Sequence, residues 1–187
     1  GNQVGTAAQT TDDLTPTPSN LIRGNTHYGV EIRNVRGATT VVENNIVAHN
    51  VVREGQGVHG VGVLNSMNVR IGGVSELAAN QIHSQTHGAG VHLSGSTNVA
   101  IVGNHIGTDG YHLTANGHFP DAVPVWPDMG GGLGNSPFMG NGRHGIDVFG
   151  RSRDVEITAN RIVDNRGSGV AIASGSSGVV LTRNEIG

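Results

Sequence analysis

The chain has 187 residues and a formal charge of −3, enough length for one domain with a sizeable core and too little positive charge for a nucleic-acid stripe. It has no cysteine and its eleven basic residues are all arginine, which excludes disulfides, thiolate metal sites, cysteine nucleophiles and lysine bases. Glycine is 31 of the residues and aromatic residues only 3%, so the chain needs many tight turns and must build its core from Val, Ile, Leu and Ala.

Asn20-Leu21-Ile22 is the first element, the end of one repeat unit. Then Gly29-Val30-Glu31-Ile32 leads to Thr39-Thr40-Val41 and Asn44-Asn45-Ile46. The same three-part pattern returns as Gly60-Val61-Gly62-Val63, Val69-Arg70-Ile71 and Asn80-Gln81-Ile82. It returns again as Gly90-Val91-His92-Leu93, Val99-Ala100-Ile101 and Asn104-His105-Ile106. A long interruption follows, from Asp109 to Arg143, holding four of the six aromatic residues and four of the six prolines. The pattern resumes as Gly145-Ile146-Asp147-Val148, Val155-Glu156-Ile157 and Asn160-Arg161-Ile162. The last unit is Gly169-Val170-Ala171-Ile172, Val179-Val180-Leu181 and Asn184-Glu185-Ile186, and 24 positions separate Val148 from Ile172.

Each triplet alternates inward, outward, inward, as a short strand must. β-branched side chains pack well inside such a strand, and three strands per unit enclose a narrow interior. Stacking these units in parallel predicts an all-β solenoid, a parallel β-helix of about six coils with one long loop inserted. Like residues then form ladders, and Asn44, Asn80, Asn104, Asn160 and Asn184 are expected to make one. The glycine ahead of each first strand is expected to supply backbone angles that other residues resist. Residues 1–187 read as one β-helix domain, with 109–143 as its aromatic-, Pro- and Gly-rich insertion. The abrupt ends predict a fragment of a longer solenoid, whose further coils would be its partners.

Asn104-His105-Ile106-Gly107-Thr108-Asp109, Leu133-Gly134-Asn135, Val69-Arg70-Ile71-Gly72-Gly73 and the Asn-x-Ile ends carry a likeness. On these the chain resembles the bacterial right-handed parallel β-helix repeat proteins, which share a fold with pectate lyases, polysaccharide epimerases and NosD-like periplasmic proteins. The resemblance implies a right-handed coil and a location that is extracellular, cell-surface or periplasmic. It does not select one activity, because the fold hosts lyases, hydrolases, epimerases and adhesins. The Asp-Pro-His run of alginate epimerases is missing. So are the paired aspartates and Arg-x-Lys of polygalacturonases, which counts against a hydrolase.

The repeat register supplies candidate chemistry. The outward row of the first strand reads Glu31, Gly62, His92, Asp147, Ala171, so His92 and Asp147 become neighbours if the insertion loops out. His144 lies at the turn into the same strand. A carboxylate with two imidazoles suits acid/base work. A uronate polysaccharide lyase or C5-epimerase needs a base, a cation for the substrate carboxylate and a proton donor. His92 or His144 is the candidate base, with Asp147 its partner; Arg143 is the neutralising cation; Tyr111 or His112 is the donor; Trp126 is a sugar-stacking surface. Asp109 and Asp121, joined by Asp147 if they converge, are candidate ligands for calcium, the only cofactor these residues suggest. None of the ten histidines shows structural-zinc spacing. His59, His87 and His144 each precede glycine, which reads as a turn preference as much as a site.

The expected function is therefore to engage an extracellular polysaccharide or glycan beside the insertion. The alternatives are a non-catalytic structural or adhesive segment of a surface protein and, more weakly, a periplasmic metal-handling protein. No apolar run reaches transmembrane length and the opening residues do not form a signal peptide, so neither membrane insertion nor nucleic-acid binding is expected.

Overall fold

The structure, a computed structural model, describes residues 1–5, 20–48, 50, 58–107 and 140–187. β1 (Gln3–Val4) and β2 (Asn20–Ile22) come first. Five three-strand coils follow. They are β3 (Tyr28–Arg33), β4 (Thr40–Val42) and β5 (Asn45–Ala48); β6 (His59–Leu64), β7 (Met67–Gly72) and β8 (Gln81–His83); and β9 (Val91–Ser94), β10 (Thr97–Val102) and β11 (His105–Ile106). Then come β12 (Ile146–Phe149), β13 (Arg153–Thr158) and β14 (Arg161–Ile162), and β15 (Val170–Ile172), β16 (Ser177–Thr182) and β17 (Glu185–Ile186).

Every third strand joins the same sheet. The first sheet is β3, β6, β9, β12, β15; the second is β1, β4, β7, β10, β13, β16; the third is β2, β5, β8, β11, β14, β17. All pairings are parallel. The inward residues of the triplets, such as Val91, Leu93, Ile101, Ile106, Ile146 and Val148, form one continuous buried core. Among the described residues no helix is long and apolar enough to cross a membrane.

The three corners are tied by polar ladders, because a corner breaks the strand pairing and leaves backbone groups to be satisfied by side chains. Ser66, Ser96 and Ser152 link the corner between the first and second sheets, each hydroxyl accepting from the amide of the coil before it. At the next corner the side-chain amides of Asn45, Asn80, Asn104, Asn160 and Asn184 bond in sequence at 2.9–3.0 Å. Asn20 extends the ladder by donating to Asn45 Oδ1 at 2.8 Å, and the member from the β3–β5 coil is Asn45 rather than the expected Asn44. Asn44 occupies the left-handed turn position before it, at φ 54°, as Gly103, Ala159 and Arg183 do in later coils. The register follows: Val47, not Ile46, points inward and pairs with Ile82, and Gln81 pairs with Ile46. A further ladder, Asn25, Asn50, Gln85, Asn141 and Asn165, ties the third corner.

The glycine row Gly29, Gly60, Gly90, Gly145, Gly169 serves a purpose other than the one expected. None of these residues has a positive φ. Here glycine is required by space: a methyl group on Gly60 would stand 2.5 Å from Ile82 Cγ2, and on Gly90 2.7 Å from Ile106 Cγ2. The row lets the third sheet's inward side chains, Val47 and then Ile82, Ile106, Ile162 and Ile186, close over the start of the first sheet.

The insertion leaves the coil after Gly107 and returns at Gly140, and these two ends touch: a methyl group on Gly140 would lie 3.1 Å from the Gly107 carbonyl oxygen. Residues 140–143 already belong to the corner, where Asn141 donates to the Ile82 carbonyl and to Asn165. The coils on either side therefore stack directly, β9 on β12.

Candidate functional site

That direct stacking sets the outer row of the first sheet as Glu31, Gly62, His92, Asp147, Ala171. Asp147 lies between the core residues Ile146 and Val148, so its carboxylate points away from the core, yet it is 0% exposed. His92 Nδ1 stands 3.5 Å from Asp147 Oδ2, and His144 Nε2 3.9 Å from Oδ1. Both carboxylate oxygens and His92 Nδ1 are sealed from water without a hydrogen bond. Burying such groups unpaired is costly, so a proton shared between His92 and Asp147 needs only a slight closure to become a charge-assisted bond.

A second row positions the other rings. Tyr28 pairs laterally with His59, and Ala89, His144 and Ser168 occupy the same place in later coils. His59 Nδ1 accepts the Ala89 backbone N–H at 3.0 Å, and His144 Nδ1 accepts the Ser168 N–H at 2.9 Å. These amides sit at the corner, and the histidine satisfies each. A neutral imidazole that accepts at Nδ1 carries its proton on Nε2. His59 and His144 thus share one tautomer, and His144 directs its Nε2–H at Asp147. Burial, and after it the nearby His92, lowers the pKa of His59 to about 4.

The rings form a column along the solenoid. Tyr28 stacks on His59 at 5.5 Å, His59 on His92 at 4.3 Å, and His92 tilts against Phe149 at 6.3 Å. The exposed Arg143 places its guanidinium 6.0 Å from the Phe149 centroid. Gly62 makes the column possible, since a methyl group there would collide with the Tyr28 ring.

The cluster favours proton transfer. With Nδ1 toward Asp147, His92 has Nε2 as its basic nitrogen, and its side chain is 19% exposed. His144 is a poorer base, because Nδ1 is already engaged and Nε2 bears the proton. One nitrogen or oxygen of each of His59, His92 and Asp147 lies within 4.8 Å of the others, the spacing of a metal triad. The ring arrangement opposes that use. His59 and His92 are stacked 21° from parallel, so their lone pairs do not converge on one point, and His59 has already committed Nδ1 to Ala89. For calcium the described neighbours of Asp147 offer imidazole nitrogen where oxygen is needed.

Of the residues singled out in the sequence, His92, Asp147 and His144 come together, with Arg143 beside them. Tyr111, His112, Trp126, Asp109 and Asp121 lie outside the described residues. Sequence reasoning missed Tyr28 and Phe149, and noted His59 for its place ahead of glycine without joining it to His92. The His-Gly dipeptides at 59–60 and 144–145 fall at equivalent places of the repeat, which sets His59 apart from His87 and was the signal that could have joined it to the site.

Three parallel sheets wound in successive coils define an all-β parallel β-helix, which carries the histidine–aspartate cluster on one outer face. The family described as the right handed beta helix region matches residues 19–187, and the chain belongs to it. No curated protein matches the chain, and no solved structure does.

Proposed function

We propose that the chain engages an acidic polysaccharide on the outer face of its first sheet and acts there as a uronate lyase or C5-epimerase. The observation that carries this reading is the register of His92 on Asp147, Nδ1 to Oδ2 at 3.5 Å, in a buried setting. In a lyase step, His92 Nε2 takes the C5 proton of a uronate. The electron pair left behind forms the C4–C5 double bond as the C4–O bond breaks, and the leaving oxygen takes a proton from a donor. In the epimerase variant the C5 carbanion is reprotonated from the opposite face. Asp147 orients His92 and stabilises the imidazolium it becomes. Arg143 supplies positive charge for the substrate carboxylate, with Tyr111 or His112 as donor and Trp126 as a stacking surface. The polysaccharide setting goes with an extracellular, cell-surface or periplasmic location.

One observation favours a second reading, a non-catalytic structural or adhesive segment: His59 and His144 each have a structural task in satisfying a corner amide. The two readings separate in one assay. The protein is incubated with uronate and neutral polysaccharides, with and without calcium, and unsaturated products, reducing ends and C5 exchange with deuterated solvent are followed. Turnover that disappears in His92→Ala and in Asp147→Asn supports the enzyme. Turnover untouched by both substitutions removes His92 from the centre, and inert protein on every substrate supports the structural segment.

A further inference from the structure

The diagonal contact between His59 and His92 is absent from the row-by-row register and has no part in the mechanism above. His59 sits one coil earlier, in the row of Tyr28, yet its ring reaches across to lie on the face of His92 at 4.3 Å. Its own edge is pinned by the Ala89 amide, so the ring cannot turn without breaking that bond. The groups around His92 are Asp147 and His144 on and before β12, Arg143 on the same approach, Phe149 at the far end of β12, and His59 on β6. Tyr28 from β3 backs His59 on its other side.

We propose that His59 is a positioning residue: its uncharged, amide-locked ring clamps the His92 ring so that Nδ1 faces Asp147 and Nε2 is the nitrogen that gains a proton. This rests on the reading of His92 as a base. Two physical facts support it. A ring free to swing about its Cα–Cβ bond could bring Nε2 to Asp147 in place of Nδ1, and stacking on a fixed neighbour holds the ring in the plane from which Nδ1 stands 3.5 Å from Oδ2. A base that becomes cationic is disfavoured by a second cation on its face, and burial holds the stacked His59 ring neutral until about pH 4.

Two substitutions divide the tasks of His59. His59→Phe keeps a ring on His92 and gives up the bond to Ala89; His59→Asn keeps a short acceptor for that amide and gives up the ring. Long-range proton–nitrogen correlation spectra of labelled protein between pH 4 and 9 report the tautomer and titration of each histidine. Backbone amide spectra show that each variant is folded. In the unsubstituted protein His92 should carry its proton on Nδ1 and His59 on Nε2. In His59→Phe the His92 tautomer should persist. In His59→Asn it should become a mixture, with turnover on a responsive uronate falling roughly tenfold and KM little changed. An unmixed His92 tautomer in folded His59→Asn overturns the positioning role. A proton on Nε2 of His92 in the unsubstituted protein overturns the base reading itself, so the two failures are distinct.

Discussion

His92 and Asp147 are 55 positions apart in the chain and face each other across one strand spacing. Nothing in the insertion is needed to bring them together, because the coil closes between Gly107 and Gly140, which touch. Replacing residues 108–139 with a four-residue Gly/Ser linker should therefore leave the β-helix intact. Circular dichroism should keep its β signature, and the His92 tautomer should be unchanged. Loss of the β signal would show that the coils need the insertion to stack.

His59 makes stability depend on pH. Its folded pKa of about 4 lies below the ordinary 6.5, so between those values the unfolded chain binds a proton that the folded chain does not. Stability should therefore fall as pH drops from about 6.5 to 4 and level off below, a loss on the order of 3 kcal/mol from this residue. Urea midpoints across that range should show a shallower slope in His59→Phe than in the unsubstituted protein. Equal slopes would mean that His59 does not carry the effect.

The asparagine ladder should be sensitive at its centre. Asn104 donates to the Ile71 and Val102 carbonyls and to Asn160 Oδ1, and accepts from the backbone and side chain of Asn80. Asn104→Ala strands those buried groups and should cost about 3 kcal/mol or more in denaturant unfolding. Asn44→Gly, at the turn position with φ 54°, should cost under about 1 kcal/mol, since glycine adopts that angle freely. A reversed order would place the ladder on Asn44.

Two glycines should respond to alanine for different reasons. A methyl group on Gly145 collides with Ile162 Cγ2 and lies 2.6 Å from the Gly169 carbonyl oxygen. Gly145→Ala should cost about 1–3 kcal/mol through overpacking. Gly175 has ordinary room but a φ of 73°, so Gly175→Ala should cost about 1 kcal/mol through the backbone. Unfolding midpoints measure both. Adding Ile162→Ala should recover part of the Gly145→Ala difference by comparison with Ile162→Ala alone, and should leave Gly175→Ala unaffected.

Much of this was legible in the sequence because a solenoid turns sequence period into spatial neighbourhood. The Gly-Val-x-Ile units placed His92 beside Asp147 across a 55-residue gap, as the strand pairing has it. The asparagine ladder was legible except where two asparagines adjoin: residue type cannot say which of Asn44 and Asn45 takes the left-handed turn. The third corner's ladder was missed although its members follow the first by five places in four coils, Asn20 and Asn25, Asn45 and Asn50, Asn80 and Gln85, Asn160 and Asn165. The contact of His59 with His92 was missed for a geometric reason. Its lateral neighbour is Ala89, and it meets His92 on a diagonal, three residues along and one coil across, which comparison of aligned rows does not reveal.

The corner ladders also set how this protein would respond to being pulled. Hydrogen bonds between coils run along the solenoid axis, so tension along that axis opens them one after another, as a zipper opens. The chain should peel coil by coil at low force, each coil without the insertion releasing roughly 80–100 Å of chain, with the polar corners as three brief catches per step. The coil that carries residues 108–139 would give one longer step, and its place in the staircase would mark the position of the histidine–aspartate cluster.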